Sequence, residues 1–179
     1  MAEISKIVGL PYTINYTFAD VFINGDYQGT YYVTDQVEKG KERVNISDDG
    51  FLIEDDKYYK DESIYFTTDK KQINYTFKYP KKLKASDESY LWIQSFMNNV
   101  EEALYSGDET SYLDLIDIDT FARWFIIEEL LGNYDSNVYY VLVIEIKNCK
   151  CIRSGMQSGL WDWLILKMEL GKRLSVARQ

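Results

Sequence analysis

The strongest constraint on this chain's fold is a switch of hydrophobic period near residue 85. Before it, short apolar stretches alternate with period two. Ile14–Asn24 (INYTFADVFIN) alternates as far as Phe18 and then changes phase around Ala19-Asp20, the pattern of a strand carrying a bulge. Asn24-Gly25 is a two-residue hairpin signal, and Tyr27–Gln36 is the β-rich return, with Gly29 marking a bulge or a close backbone approach. Shorter strands are predicted at Val44–Ile46, Phe51–Glu54, Ser63–Thr67 and Ile73–Tyr79, so the first 80 residues read as an antiparallel meander.

After the switch the period is helical. Ser86 offers a cap, and Trp92, Phe96, Val100 and Leu104 recur every fourth residue, widened by Ile93, Met97 and Ala103, until Gly107. Asp117 and Asp119 offer caps for a second helix, Thr120–Leu131, bulky on almost every face, with Gly132 placed to end it in the left-handed conformation. A polar loop, Asn133–Asn137, leads into Val138–Ile146, a nearly continuous apolar run that suits a strand covered on both faces. The expected fold class is therefore α+β: an antiparallel β meander followed by two helices and a buried strand.

Composition removes several chemistries. The 179 residues contain no histidine, which excludes Ser-His-Asp and Cys-His catalysis and any His-ligated zinc. Cys149 and Cys151 are too close for an ordinary disulfide and too few for a zinc site. With 29 acids against 20 bases the net charge is −9, which disfavours a nucleic-acid partner. The basic run Lys78–Lys84 (KYPKKLK) reads as a solvated loop before an acidic helix start. The apolar runs are too short for a membrane span, and the N-terminus lacks the apolar core of a secretory signal. What remains is chemistry by carboxylates, lysines and a hard cation.

Asp135 sits between a buried helix and a buried strand, a rigidly supported place for a functional carboxylate. Asp is also an ordinary turn residue, and the pattern alone leaves both roles open, the turn being the simpler. Three glycosylation sequons begin at Asn15, Asn45 and Asn74, a weak signal, and Asp114, Asp117 and Asp119 are better explained by helix capping than by a calcium loop. The tail differs from the body. No tyrosine follows Tyr140, and Val143–Gln179 carries seven bases and three acids, or +4, against −13 for residues 1–142. Such asymmetry fits either a functional tail or sequence outside its native frame.

Several segments, in order, resemble the CotH family of spore-coat and surface proteins, an atypical protein-kinase family. Asn24-Gly25-Asp26-Tyr27-Gln28-Gly29-Thr30-Tyr31 resembles its N-G-E-Y-x-G-x-Y hairpin, and Thr34-Asp35-Gln36-Val37-Glu38 its T-E-Q-I/V-E run. Lys41–Ile46 is similar to an R-V-N-I segment, Phe51–Glu54 to Y-L-L-E, and Phe77-Lys78-Tyr79-Pro80 to I-K-x-P. Ile118-Asp119, the helix to Leu131 and Asn133-Tyr134-Asp135 resemble the D-V-D-S-F…E-L…N-x-D block. The resemblance implies part of an atypical kinase-like fold over residues 1–142, with 143–179 a divergent tail.

It also implies transfer of the ATP γ-phosphoryl group to serine or threonine of a surface or coat protein, with Mg²⁺. Asp135 would be the catalytic base, Asp162 in Trp161-Asp162-Trp163-Leu164 a metal ligand, and Asn137 a further metal ligand or a turn residue. Lys78 would contact phosphate or simply cover a strand edge. Leu164 stands where the family's second metal-strand Asp is expected, and upstream nucleotide-holding strands are expected before residue 1, so little turnover is expected from this chain by itself. The family implies a cell- or spore-surface location. The alternative is a non-catalytic adhesion or structural coat module that presents tyrosine-rich strands.

Overall fold

The computed structural model describes residues 2–13, 15–108, 110–132, 141–144 and 152–154. It is an α+β arrangement with two antiparallel sheets. A short helix, α1 (Ala2–Ile7), precedes the hairpin β1 (Tyr16–Ile23) and β2 (Asp26–Thr34), which forms a sheet of its own. Next come β3 (Phe51–Asp55), β4 (Tyr65–Thr67) and β5 (Asn74–Tyr79), then α2 (Glu88–Tyr105), α3 (Ile118–Leu131), β6 (Val141–Ile144) and β7 (Ile152–Ser154). The second sheet runs β4-β5-β3-β6-β7, so the strands are antiparallel as expected but divided between two sheets.

The hairpin follows from its turn residues. Asn24 and Gly25 both have positive φ, 54° and 92°, the backbone that matches the right-handed twist of the flanking strands. The register slips between Val21 and Phe22 and leaves Gln28 of β2 as the extra residue beside Gly29 at φ 117°, the bulge that the glycine signalled, whereas β1, where the phase change lies, pairs residue for residue. One face carries an aromatic ladder in which Tyr16 stacks on Tyr32 at 5.3 Å and Phe22 meets Tyr27 at 5.2 Å. Between them Asp20 accepts hydrogen bonds from Thr30 (2.6 Å) and Tyr27 (3.3 Å).

In the larger sheet the central strand β3 buries Phe51, Leu52 and Ile53 in succession. Phe51 and Ile53 face α2 and join Phe66, Tyr75, Ile93, Met97 and Val100 in the main core. Leu52 faces the other way, against Val44 and Ile46. Val44–Ile46 is not the strand expected from sequence: its regular pairing is limited to one bridge between Lys39 and Val44. Instead the Val44 and Ile46 side chains are buried against Leu52 from an irregular segment.

The caps also differ in part. Asp87, not Ser86, is the N-cap of α2, and its carboxylate accepts from the Lys84 amide at 2.9 Å. Asp117 caps α3 by accepting from the Thr120 amide, and Gly132 closes that helix at φ 57° as expected. The buried line of α2 is Ile93, Met97, Val100 and Glu101, while Trp92 lies at its margin, stacked between Phe51 and Phe96. In α3, Thr120, Trp124 and Ile127 are buried, Trp124 and Ile127 against Leu10, but Ile126 and Leu130 are exposed among the described residues. Among the described residues, then, α3 also presents an exposed apolar side, where burial on several sides was expected.

Glu101 is the polar anchor of the core. Only 5% exposed, it accepts from Thr68 Oγ1 at 2.6 Å and from the amides of Lys70 and Lys71 at 3.2 and 3.1 Å. The turn joining β4 to β5, with Gln72 at φ 58°, is thereby tied to α2. Replacing Glu101 by Ala would leave Thr68 and two amides short of an acceptor. We expect Glu101→Ala to destabilise the protein by about 2–4 kcal/mol in urea unfolding, against about 0.5 kcal/mol or less for the exposed Glu102→Ala.

Candidate functional site

Strand β5 carries a second bulge. Ile53 pairs with Phe77 and Leu52 with Tyr79, which leaves Lys78 as the extra residue between them. A bulge re-aims a side chain, and here the Lys78 ammonium reaches the Glu54 carboxylate on β3 at 2.5 Å. Glu54 is the less exposed partner, at 17% against 38% for Lys78. Neighbouring strands thus fix the lysine from both ends, by its backbone bulge and by its charge.

Beyond β5 the chain turns through Pro80 and passes the segment around Glu38. Together they form an open cleft of about 480 Å³, lined by Glu38, Lys39, Lys78, Pro80, Lys81 and Lys82 among others. Four of these are cations, in a chain of net charge −9. Two are held: Lys78 by Glu54, and Lys39 by Asp48 at 2.5 Å and the Ser47 carbonyl at 3.2 Å. The Lys39 ammonium also lies 4.1 Å from the centre of the Tyr79 ring, whose hydroxyl donates to the Asp48 carbonyl at 2.9 Å. Its hydrogen bond to Asp48 raises the Lys39 pKa above the ordinary lysine value, outweighing the opposing effect of desolvation. Glu38 pairs with the Arg43 guanidinium through one oxygen and lies 3.5 Å from Lys81 through the other.

Such a groove suits a ligand with several negative charges: point-charge ammonium groups take phosphate oxygens readily. The sequence placed Lys78 correctly in a strand but could not show the cleft. Residues 38–39 and 78–82 meet only because Leu52 and Tyr79 bring their segments to one end of the sheet. By sequence the lysine run after Pro80 reads as a solvated loop, and Glu38, Glu54, Lys39 and Lys81 carry no signal that selects them.

Asp135, Asn137 and Asp162 lie outside the described residues. The backbone on either side of the first two is defined: α3 ends at Gly132, and the chain enters β6 at Val141, in register with Glu54. Among the described residues no group of three acidic, cysteine or histidine side chains is arranged to hold a metal ion.

A family model described as CotH kinase protein matches residues 3–165 of the chain. The match includes the segments quoted above and extends through Trp161-Asp162-Trp163-Leu164. Neither curated proteins nor solved structures give a match. No helix among the described residues is long and apolar enough to cross a membrane.

The raised Lys39 pKa sets a direction for pH dependence. A group whose folded pKa exceeds its unfolded value stabilises fully below the unfolded value and ceases to do so as pH rises through the folded one. The loop that Lys39 secures should keep its amide protection across neutral pH and lose it only above about 10.5. Hydrogen exchange at Gly40 and Val44, whose amides bond within this loop, reads the effect; Lys39→Gln should lower their protection at neutral pH several-fold.

Proposed function

Since the chain belongs to the CotH kinase protein family, we propose that it is the body of a phosphoryl-transfer domain that moves the ATP γ-phosphoryl group to serine or threonine of a protein at a cell or spore surface. The family match over residues 3–165 carries this reading, and the lysine-lined cleft supports it as a place for phosphate. Phosphoryl transfer makes little demand for covalent catalysis by the protein: positioning and charge neutralisation supply most of the rate, and carboxylates, lysines and a metal suffice without histidine.

In this reading Asp135 accepts the proton of the serine or threonine hydroxyl as that oxygen bonds to the γ-phosphorus and the bond to the ADP oxygen breaks. Asp162, with Asn137, would hold Mg²⁺, which would supply charge neutralisation on the phosphates when bound. Lys78 meets a phosphate oxygen, prepositioned by Glu54. Leu164 supplies no carboxylate where the family resemblance expects a second one, so a bound metal would be held by fewer charges and turnover would be slow.

A specific observation favours a second reading, a binding module. The β1–β2 hairpin exposes Phe18, Phe22, Tyr27, Tyr31 and Tyr32, with between 49% and 66% of each accessible. Exposed aromatics on a rigid ladder are suited to protein or carbohydrate contact. The two readings separate in one assay. With Mg²⁺ or Mn²⁺ and labelled ATP, a protein containing this domain should transfer label to a surface or coat protein, and Asp135→Asn should reduce transfer at least about 10²-fold. Transfer unchanged in that variant excludes Asp135 as the base, and no nucleotide binding by the wild type favours the binding module.

A further inference from the structure

Among the residues lining the cleft, Glu38 contributes the negative charge. The nearby acids Glu54 and Asp48 are bound to Lys78 and Lys39 at 2.5 Å each. Glu38 is different because it divides its carboxylate. One oxygen is fixed by Arg43, which prevents the side chain from swinging away, and the other reaches across to Lys81 at 3.5 Å. Lys81 is 73% exposed, so its share of the pair is weak and easily exchanged. Lys82 forms no ion pair among the described residues and is exposed.

We propose that Glu38 is a built-in competitor for polyanions in this cleft, occupying a cation, Lys81, that a polyphosphate ligand must take over, and thereby setting the affinity of the site. This rests on the reading of Lys78 as phosphate-facing. A polyphosphate entering the cleft exchanges the Glu38 contact of Lys81 for its own oxygens and recruits Lys82. It does so against the repulsion of a carboxylate that Arg43 holds in place. Removing the Glu38 charge relieves that repulsion and releases Lys81, the cleft cation it shares, to the ligand.

The test is calorimetric titration of the full chain with two probes, Mg-ATP and inorganic tripolyphosphate, in wild type and in Glu38→Gln, Arg43→Gln and Lys81→Gln. Glu38→Gln should tighten binding of both probes by about threefold to tenfold, an advantage that shrinks at high salt. Lys81→Gln should weaken binding, and Arg43→Gln should not tighten it. Equal affinity in wild type and Glu38→Gln overturns the proposal while leaving the nucleotide reading intact. Tripolyphosphate binding that depends on Glu38, with Mg-ATP silent, upholds it and defeats the nucleotide reading. Binding of neither probe to wild type or variant defeats both. Should Glu38→Gln fail to fold, unchanged affinity in Lys81→Gln overturns the proposal by itself.

Discussion

Three consecutive buried side chains in β3 decide most of this architecture. A strand whose alternate residues both lack solvent must be covered twice, and the chain does this with unlike materials. The α2 helix covers Phe51 and Ile53, while an irregular segment covers Leu52 through Val44 and Ile46. The second cover has the consequence for function. Because residues 37–46 must lie on the sheet to bury Leu52, Glu38 and Lys39 are brought beside the end of β5, and the Lys78 bulge opens next to them. The cleft is a by-product of the way the core is closed.

That explains which parts were legible in the sequence. Features set by local backbone chemistry were readable: Asn24-Gly25 and Gly29 announce positive φ, and Gly132 announces a helix end. The period switch gave the fold class, since helix and strand bury different spacings. Features set by tertiary packing were not. Val44 and Ile46 are β-branched as in a strand, but they are buried by packing on Leu52 from a segment that pairs through a single bridge. The Trp92 line of α2 was displaced because the sheet presents its apolar face toward Ile93 and Met97, one residue around the helix. Glu101 resembles any helix-surface acid until the β4–β5 turn arrives with a hydroxyl and two amides to satisfy it. Of the candidate site, Lys78 could be named, but its partner Glu54 depends on strand order, which spacing does not encode. The roles of Asp135, Asn137 and Asp162 came from family resemblance, and their positions fall outside the described residues.

The hairpin obeys a different economy. A two-stranded sheet is marginal by itself, and residues 7–38 contain no lysine or arginine to shield it. Its stability comes from the stacked Tyr16, Phe18 and Tyr32 at one end and Phe22 with Tyr27 at the other. Cross-strand aromatic pairs of this kind contribute about 0.5–1.5 kcal/mol each beyond area burial. Asp20 sits between the two groups without being stranded, since Thr30 and Tyr27 both donate to it. The ladder therefore holds its shape while leaving rings accessible, which makes the same residues available for contact.

Electrostatics in the cleft reflects a compromise between position and strength. A lysine free in solvent keeps its full field but spends conformational entropy on every ligand it meets. Lys78 gives up part of its field to Glu54 and in return is held in one place by a bulge and an ion pair. Lys82 stands at the opposite limit, exposed and without an ion pair among the described residues, and Lys81 is intermediate, loosely shared with Glu38. A polyanion entering from solvent would meet the loosely held cations first and the prepositioned one last. Early contacts would then supply attraction and the last one alignment, the order that suits a site where geometry matters more than affinity. The carboxylate of Glu54 cannot be spared in such a scheme, because without it the bulge would aim a chain with four rotatable bonds at nothing in particular.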